Sequence, residues 1–385
     1  MATGTPRAEP PHEVAPFACI AAGGTGGHVV PGIAIARALV AHGHAVESIF
    51  FLGSVGRIET TLVPEAGFEL VALPGRGVER KVSLAALKAI IGIVRGVVRG
   101  FGVIRRRRPR VIVLLGGYAA VPAIVAGVLL RIPLVVVARD ARVGAADRLG
   151  ARFAKACAVP FADSDLPPGK TVVTGNPVRA EVLAIERERD RAGARQQLGL
   201  PPDRTVVGVF TGSLGSRRVN DAVRELVVRW ADRSDLAVRH VIGTRDWETV
   251  AAALPTMPAD GLVYQAVRYE DQMDQLLAAS DVVVSRAGGA TVAELAVVGL
   301  PAVLVPLPIA TKDHQTYNAE ALVAVGGGIR VPDDELDADR LEHELTPLLA
   351  DPARRAAMGE AARTIGHRDA AERVAGLVEE HARHA

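Results

Sequence analysis

The chain has 385 residues, more than one hydrophobic core comfortably organises, so two domains are expected. Its 45 Lys and Arg against 43 Asp and Glu leave a formal charge of +2, which argues against a dedicated nucleic-acid binder. Cys19 and Cys157 lie far apart and no zinc-ligand spacing exists, so a reducing cytoplasmic setting fits better than a disulfide scaffold.

Residues 1–15 contain Pro, Glu and His but no apolar stretch of signal-peptide length, and read as a disordered tail. From there apolar runs of strand length alternate with helix-length segments. The first series is Phe17–Ala22, Ser48–Leu52, Val111–Leu115, Leu134–Val137 and Thr171–Val173. The second is Val206–Phe210, Val238–Ile242, Leu262–Tyr264, Asp281–Val284 and Ala302–Val305. Such alternation predicts parallel sheets with right-handed crossovers, here two doubly wound domains. The expected division is 16–176, 177–350 and a charged helical end, 351–385, whose last helix packs back on the first domain. The apolar stretch Val111–Leu130 is long enough to span a membrane, but Gly116, Gly117 and Pro122 interrupt it. A buried strand, a glycine loop and a buried helix account for it better.

Each series opens on a strand that runs into glycines. The first gives Gly23-Gly24-Thr25-Gly26-Gly27-His28, where the backbone can approach a ligand. Val29 stands where a dinucleotide fingerprint needs its third glycine, and the second strand runs into Gly53-Ser54 rather than an acid, which disfavours a nicotinamide cofactor. No Gly-Lys-Ser/Thr follows, so a Walker loop is absent as well. His28 falls at the start of a helix on the cleft side, where a titratable imidazole suits catalysis or binding; a plain strand–helix turn is the alternative. The second series gives Thr211-Gly212-Ser213-Leu214-Gly215-Ser216, in which Ser213 either meets a pyrophosphate or caps a helix.

The run from Ser285 to Asn318 reads strand end, glycine turn, short helix, buried strand and polar loop. A helix N-terminus at a sheet edge favours phosphorylated ligands. Thr291 and Glu294 have capping-box spacing, with Thr at the N-cap and Glu at N3; the competing reading of Glu294 is a carboxylate that accepts both ribose hydroxyls. Asp313, His314, Gln315 and Asn318 form a polar cluster suited to a sugar. Asp163-Ser164-Asp165 reads as a solvated turn rather than a metal site. Residues 76–110 are strongly basic, with Arg95, Arg99 and Arg105 to Arg108 among apolar residues such as Val94, Val97, Val98 and Phe101. Such a segment suits an anionic bilayer surface; a core helix with a basic rim is the alternative.

G-G-T-G-G-H-V-V-P-G, G-G-Y-A-A-V-P, V-T-G-N-P-V-R, T-G-S-L-G-S, S-R-A-G-G-A-T-V-A-E and D-H-Q-T-Y-N-A occur in one order over about residues 16 to 380. In this the chain resembles the MurG family of peptidoglycan N-acetylglucosaminyltransferases. The resemblance implies a GT-B fold, two Rossmann-like domains facing a cleft. It implies inverting transfer of N-acetylglucosamine from UDP-N-acetylglucosamine to undecaprenyl-linked lipid I, without metal or cofactor, at the cytoplasmic membrane face. Carried over by motif, Glu294 holds the ribose; Ser213, Gly289, Ala290 and Thr291 sit at the diphosphate; Gln315 holds the sugar. Thr25, Gly26 and Gly27 border the donor, Arg179 reaches into the cleft, and Tyr269 to Met273 border the uracil. His28 and Tyr118 lie on the acceptor side, His28 as the base.

One stretch departs from the family. Where it typically carries H-E-Q-N, this chain has Val137-Ala138-Arg139-Asp140. Asp140 replaces the asparagine expected at the donor sugar, and a carboxylate accepts but cannot donate as an amide does. A related transferase with another acceptor, a silent nucleotide-sugar-binding homologue and an epimerase on the same fold are the competing readings.

Overall fold

The computed structural model describes residues 15–74 and 84–384. Two parallel sheets form the two halves. The first has seven strands: β1 (Ala18–Ala21), β2 (Ile49–Ser54), β3 (Glu69–Leu73), β4 (Val111–Leu114), β5 (Leu134–Val137), β6 (Ala156–Val159) and β7 (Thr171–Val173), in the order 3-2-1-4-5-6-7. The second has six: β8 (Thr205–Phe210), β9 (Leu236–Val241), β10 (Val263–Val267), β11 (Val282–Ser285), β12 (Ala302–Leu304) and β13 (Gly328–Arg330), in the order 10-9-8-11-12-13. The central strands are Val-rich and, apart from the half-buried Thr205 that opens β8, buried, as expected where helices cover both faces.

Three strands escape a reading of apolar runs. β3 is an edge strand that opens on the exposed Glu69. β6, Ala156-Cys157-Ala158-Val159, has little β propensity of its own and is held between β5 and β7. β13 is a three-residue strand containing Gly328 and Arg330. Tertiary pairing, not local preference, makes all three. Cys19 and Cys157 are both free and buried.

In each sheet the strand order reverses between the first strand and its inner neighbour, β1 beside β4 and β8 beside β11. Loops leaving two such strands diverge to opposite faces and open a crevice at their carboxyl ends. The stretch Val111–Leu130 divides into β4 and the helix Ala120–Leu130. Among the described residues no helix is long and apolar enough to cross a membrane. Of the basic segment, Arg76, Arg80 and Lys81 lie outside the described residues, as do residues 1–14 of the amino-terminal tail. The described part of the basic segment from Leu84 to Arg107 is a helix, on which Val94 and Val98 are exposed, with Arg108 and Arg110 beyond its end.

The helix Gly26–Ala41 is apolar nearly all round because it is covered twice. One side lies on the first sheet; the other meets the helix Ala370–His381. Val374, Ala375, Leu377 and Val378 of that last helix share a core with Ile20, Ile33, Val113 and Val135. Val374→Ala, which removes two fully buried methyl groups, should cost about 2 kcal/mol. Deuterium exchange should then quicken in β1, β4 and β5 while β8 and β11 stay protected. Equal acceleration in both sheets would mean that the halves open as one unit.

Candidate active site

After β1 the chain turns through Gly23 to Gly27. Glu59, fully buried, fastens the turn: its carboxylate accepts the Gly24 N–H at 3.1 and 3.2 Å and the Ser54 N–H at 2.9 Å. A single Glu in Ile58-Glu59-Thr60 gives no sequence signal of this. Thr25 is the N-cap residue of the helix Gly26–Ala41, whose first turn carries no acidic side chain and no side-chain cap. Its leading N–H groups are therefore free for an anion. Thr25 Oγ1 and His28 Nδ1 share a hydrogen bond of 2.8 Å. His28 is half-buried, and burial, with the nearby Arg139 charge, presses its pKa down to about 3, so it is neutral at pH 7.

The β4 turn interlocks with this one. Gly116 and Gly117 have φ of +86° and +76°, and a Cβ on Gly117 would fall 2.2 Å from the Gly23 carbonyl oxygen. Only glycine permits both the backbone angle and the approach. Tyr118 follows, and its hydroxyl donates to the Pro74 carbonyl at 3.0 Å, which fixes the ring beside the helix Leu84–Arg107.

On the second sheet, β8 leads into the exposed Ser213 between Gly212 and Gly215, which have φ of +90° and +88°. The helix that follows is Arg217–Arg229 with Ser216 at its N-cap, so Ser213 is not a helix cap. Thr244 donates its N–H to the Ser213 carbonyl at 2.9 Å, and Gly243 N–H reaches the Arg268 carbonyl at 3.1 Å. Those bonds tie the Ser213 turn to the loop carrying the half-exposed Tyr269. Glu270 in that loop is buried against Arg239 at 2.7 Å.

The helix after β11 corrects the capping-box expectation. It spans Gly289–Val298 with Gly288 at the N-cap, so Thr291 is the third helical residue and Glu294 lies beyond the first turn. Glu294 therefore has no capping role. It is 8 % exposed, and its Oε1 accepts Arg179 Nε at 3.0 Å and an Arg179 terminal nitrogen at 2.9 Å. Burial raises the Glu294 pKa, with Arg179 opposing. Oε2 has no protein partner among the described residues. Gly289, Ala290 and Thr291 form the first turn, which again has no acidic side chain of its own.

Arg139 and Asp140, the departing stretch, join the two halves. A Cβ on Gly27 would lie 3.1 Å from an Arg139 guanidinium nitrogen, and one on Gly289 would lie 1.9 Å from the Arg139 carbonyl oxygen. Asp140 Oδ1 accepts the Gly289 N–H at 3.2 Å and the Asn318 amide at 2.9 Å, while Ala141 N–H donates to Asn318 Oδ1 at 2.9 Å. Asn318 is fully buried. Gln315 Oε1 accepts Ala287 N–H at 3.1 Å and Leu307 N–H at 3.0 Å, which pins the loops after β11 and β12 together. Lys312 and Asp313 both take positive φ, 55° and 54°, a strained pair at the mouth of the cleft.

The reading of Asp163-Ser164-Asp165 as a solvated turn holds for Asp163 only. Asp165 accepts Val143 N–H at 2.9 Å and pairs with Arg148 and, across the cleft, with Lys312 at 3.4 Å. Among the described residues no cluster of acidic, His or Cys side chains could hold a metal ion.

Both glycine turns, the first turns of two helices and a buried carboxylate thus lie at the carboxyl ends of the two sheets, which Arg139 and Asp140 bring together. That arrangement defines a two-domain, GT-B-type nucleotide-sugar transferase or a close structural relative. Residues 18–159 match the glycosyltransferase family 28 N-terminal domain and residues 206–374 its C-terminal domain. A UDP-N-acetylglucosamine–N-acetylmuramyl-(pentapeptide) pyrophosphoryl-undecaprenol N-acetylglucosamine transferase from Streptomyces coelicolor is 37 % identical over 94 % of this chain and 97 % of its own. The enzyme of that name from Xylella fastidiosa is 40 % identical over 93 % and 94 %. The crystal structure of Acinetobacter baumannii MurG superposes with a TM-score of 0.73 at 25 % identity, covering 94 % of this chain and 99 % of that one. The chain belongs to glycosyltransferase family 28 and, within it, to the MurG family.

The Asp140 carboxylate lies on a backbone donor that an anionic ligand would use. Asp140→Asn keeps an acceptor for Gly289 and Asn318 but removes the charge. Nucleoside diphosphate should then bind roughly two- to fivefold tighter by calorimetry, the range for one charge at a helix end. Weaker binding would show that the carboxylate assists the ligand.

Proposed function

We propose that this protein transfers N-acetylglucosamine from UDP-N-acetylglucosamine to the muramoyl 4-hydroxyl of undecaprenyl-linked lipid I, forming lipid II with inversion at the anomeric carbon. The observation that carries the reading is the Gly289–Val298 helix: a first turn with no acidic side chain of its own, where Asp140 takes only the Gly289 N–H, with buried Glu294 farther along the same element. Diphosphate charge is stabilised by such N–H groups, here with Ser213 and Thr291 beside them. Glu294, oriented by Arg179, takes the ribose hydroxyls through its free oxygen. Gln315, with Oε1 anchored, presents its amide nitrogen to the sugar. Tyr269 to Met273 border the uracil.

His28 is the base. Its neutral imidazole takes the acceptor proton as the new glycosidic bond forms, and UDP leaves with the bonding electrons. Thr25, Gly26 and Gly27 lie beside it at the sugar, and Tyr118 on the acceptor side. The chain works as a peripheral protein at the cytoplasmic membrane face. Exposed Val94 and Val98 alternate there with Arg95 and Arg99, so apolar contact and attraction to anionic lipid act together.

The assay is direct: incubation with UDP-N-acetylglucosamine and a lipid I analogue should yield the lipid-linked disaccharide. Transfer to another acceptor, with none to lipid I, would replace this reading by the one that the Ala138-Arg139-Asp140 departure favours, a related transferase with a different acceptor. His28→Ala should lower kcat roughly 10²- to 10⁴-fold with UDP affinity nearly unchanged. Glu294→Gln should raise the donor KM roughly tenfold or more, the size of a lost charged hydrogen bond. Sedimentation with vesicles should rise when phosphatidylglycerol is added to phosphatidylcholine; equal recovery with both would sink the membrane contact.

A further inference from the structure

Asp147 is an unexplained carboxyl. It stands in the first turn of the helix Ala145–Phe153, is 7 % exposed, and its Oδ1 is enclosed without a hydrogen-bond partner. Leaving such a group unsatisfied is costly, and a structural acid at a helix N-terminus needs no such enclosure. Its surroundings supply a use. At the position of a Gly116 side chain, Asp147 Oδ1 would be 3.0 Å away and His28 Nε2 3.1 Å away. The two atoms flank one glycine α-carbon and are no farther apart than two such contacts. No hydrogen bond joins them in this structure, and a small closure of the turn would bring them into contact. The other ring nitrogen, Nδ1, is the one that meets Thr25 Oγ1.

We infer that Asp147 is a positioning residue for the transfer reaction, holding the His28 ring through Nε2–H so that Nδ1 is the unprotonated nitrogen. Nδ1 accepts from the Thr25 hydroxyl here and takes the acceptor hydroxyl when that bond gives way. This rests on His28 being the base. In the step, the hydroxyl proton passes to Nδ1, the acceptor oxygen bonds to the anomeric carbon, and the bond to the diphosphate oxygen breaks with its electrons leaving on UDP. The imidazolium so formed faces the Asp147 carboxylate, which balances its charge. Gly116 is needed because any side chain there would fill the space between the two groups.

The groups facing Asp147 are His28 from the helix Gly26–Ala41, Arg139 and Asp140 from the loop after β5, and Cys157 from β6. Burial pushes the Asp147 pKa up to about 6, with Arg139 opposing and Asp140 adding. The sign follows: above pH 6 the carboxylate is ionised and supports His28, and below it the support is lost.

Two measurements test this. The first is kcat against pH with both substrates saturating. The wild type should fall on an acid limb near pH 6; Asp147→Asn should lose that limb and turn over about 10- to 100-fold more slowly at pH 7.5, with donor KM unchanged. The second needs no substrate. In protein labelled with [13Cε1]histidine, the His28 ring resonance, assigned from His28→Gln, should shift with a midpoint near pH 6 and stop doing so in Asp147→Asn. A His28 resonance flat between pH 5 and 8 in the wild type overturns the proposal whatever the enzyme transfers. So does an Asp147→Asn enzyme that keeps its rate and its acid limb. A wild type that shows the resonance shift but no transfer to lipid I leaves the pairing standing and removes the acceptor assignment instead.

Discussion

The structure depends on one constraint, the reversal of strand order in a parallel sheet. All strands of each sheet point the same way, so every strand-to-helix turn leaves from one edge. Where β1 lies beside β4, and β8 beside β11, the chains leaving that edge go to opposite faces and cannot fill the space between them. Both crevices therefore exist before any side chain is considered. The glycines at 23–27, 116–117, 212 and 288–289 sit at those four strand ends. They let backbone approach backbone, and they leave helix N-termini without caps. Electrostatics then follow from geometry, because two helix N-termini meet there, their first turns hold no acidic side chain of their own, and Asp140 takes the Gly289 N–H of one.

The loop after β5 converts two crevices into one site. Arg139 packs against Gly27 on one side and Gly289 on the other, while Asp140 and Ala141 bond to the fully buried Asn318. Arg142 adds a stacking contact 3.7 Å over the Tyr317 ring, and Asp165 meets Lys312 across the same gap. These bonds are few and largely polar. They hold the two halves in register. Glu294 and Arg179 show the same economy: Arg179 precedes a short helix on the segment between the sheets, and its guanidinium orients a carboxylate that burial would otherwise tend to neutralise.

The family motifs were legible because they are contiguous and rest on glycine, whose backbone freedom leaves a mark in sequence. The strong strands were legible as well, since β-branched runs of that length bounded by turns rarely form anything but buried strands. β3, β6 and β13 were not, because their pairing partners make them strands. The capping-box reading of Thr291 and Glu294 failed for a related reason. The spacing was right, but the glycine turn after β11 starts the helix earlier, at Gly289, and moves both residues inward. Glu59 and Asp147 gave no signal at all: each is a lone acid whose meaning lies in a turn far away in sequence or in a neighbouring strand.

The sequence alone determined the fold class and the family, because hydrophobic period, glycine placement and motif order are local properties. Tertiary structure alone decided which lone acids matter and what the departing Arg139–Asp140 stretch touches. It also decided that Glu294 faces Arg179 rather than its own helix terminus. Those outcomes depend on burial and on distances between residues far apart in the chain. Burial and long-range distance set the energy of a charged group, and neither is written in the order of its neighbours.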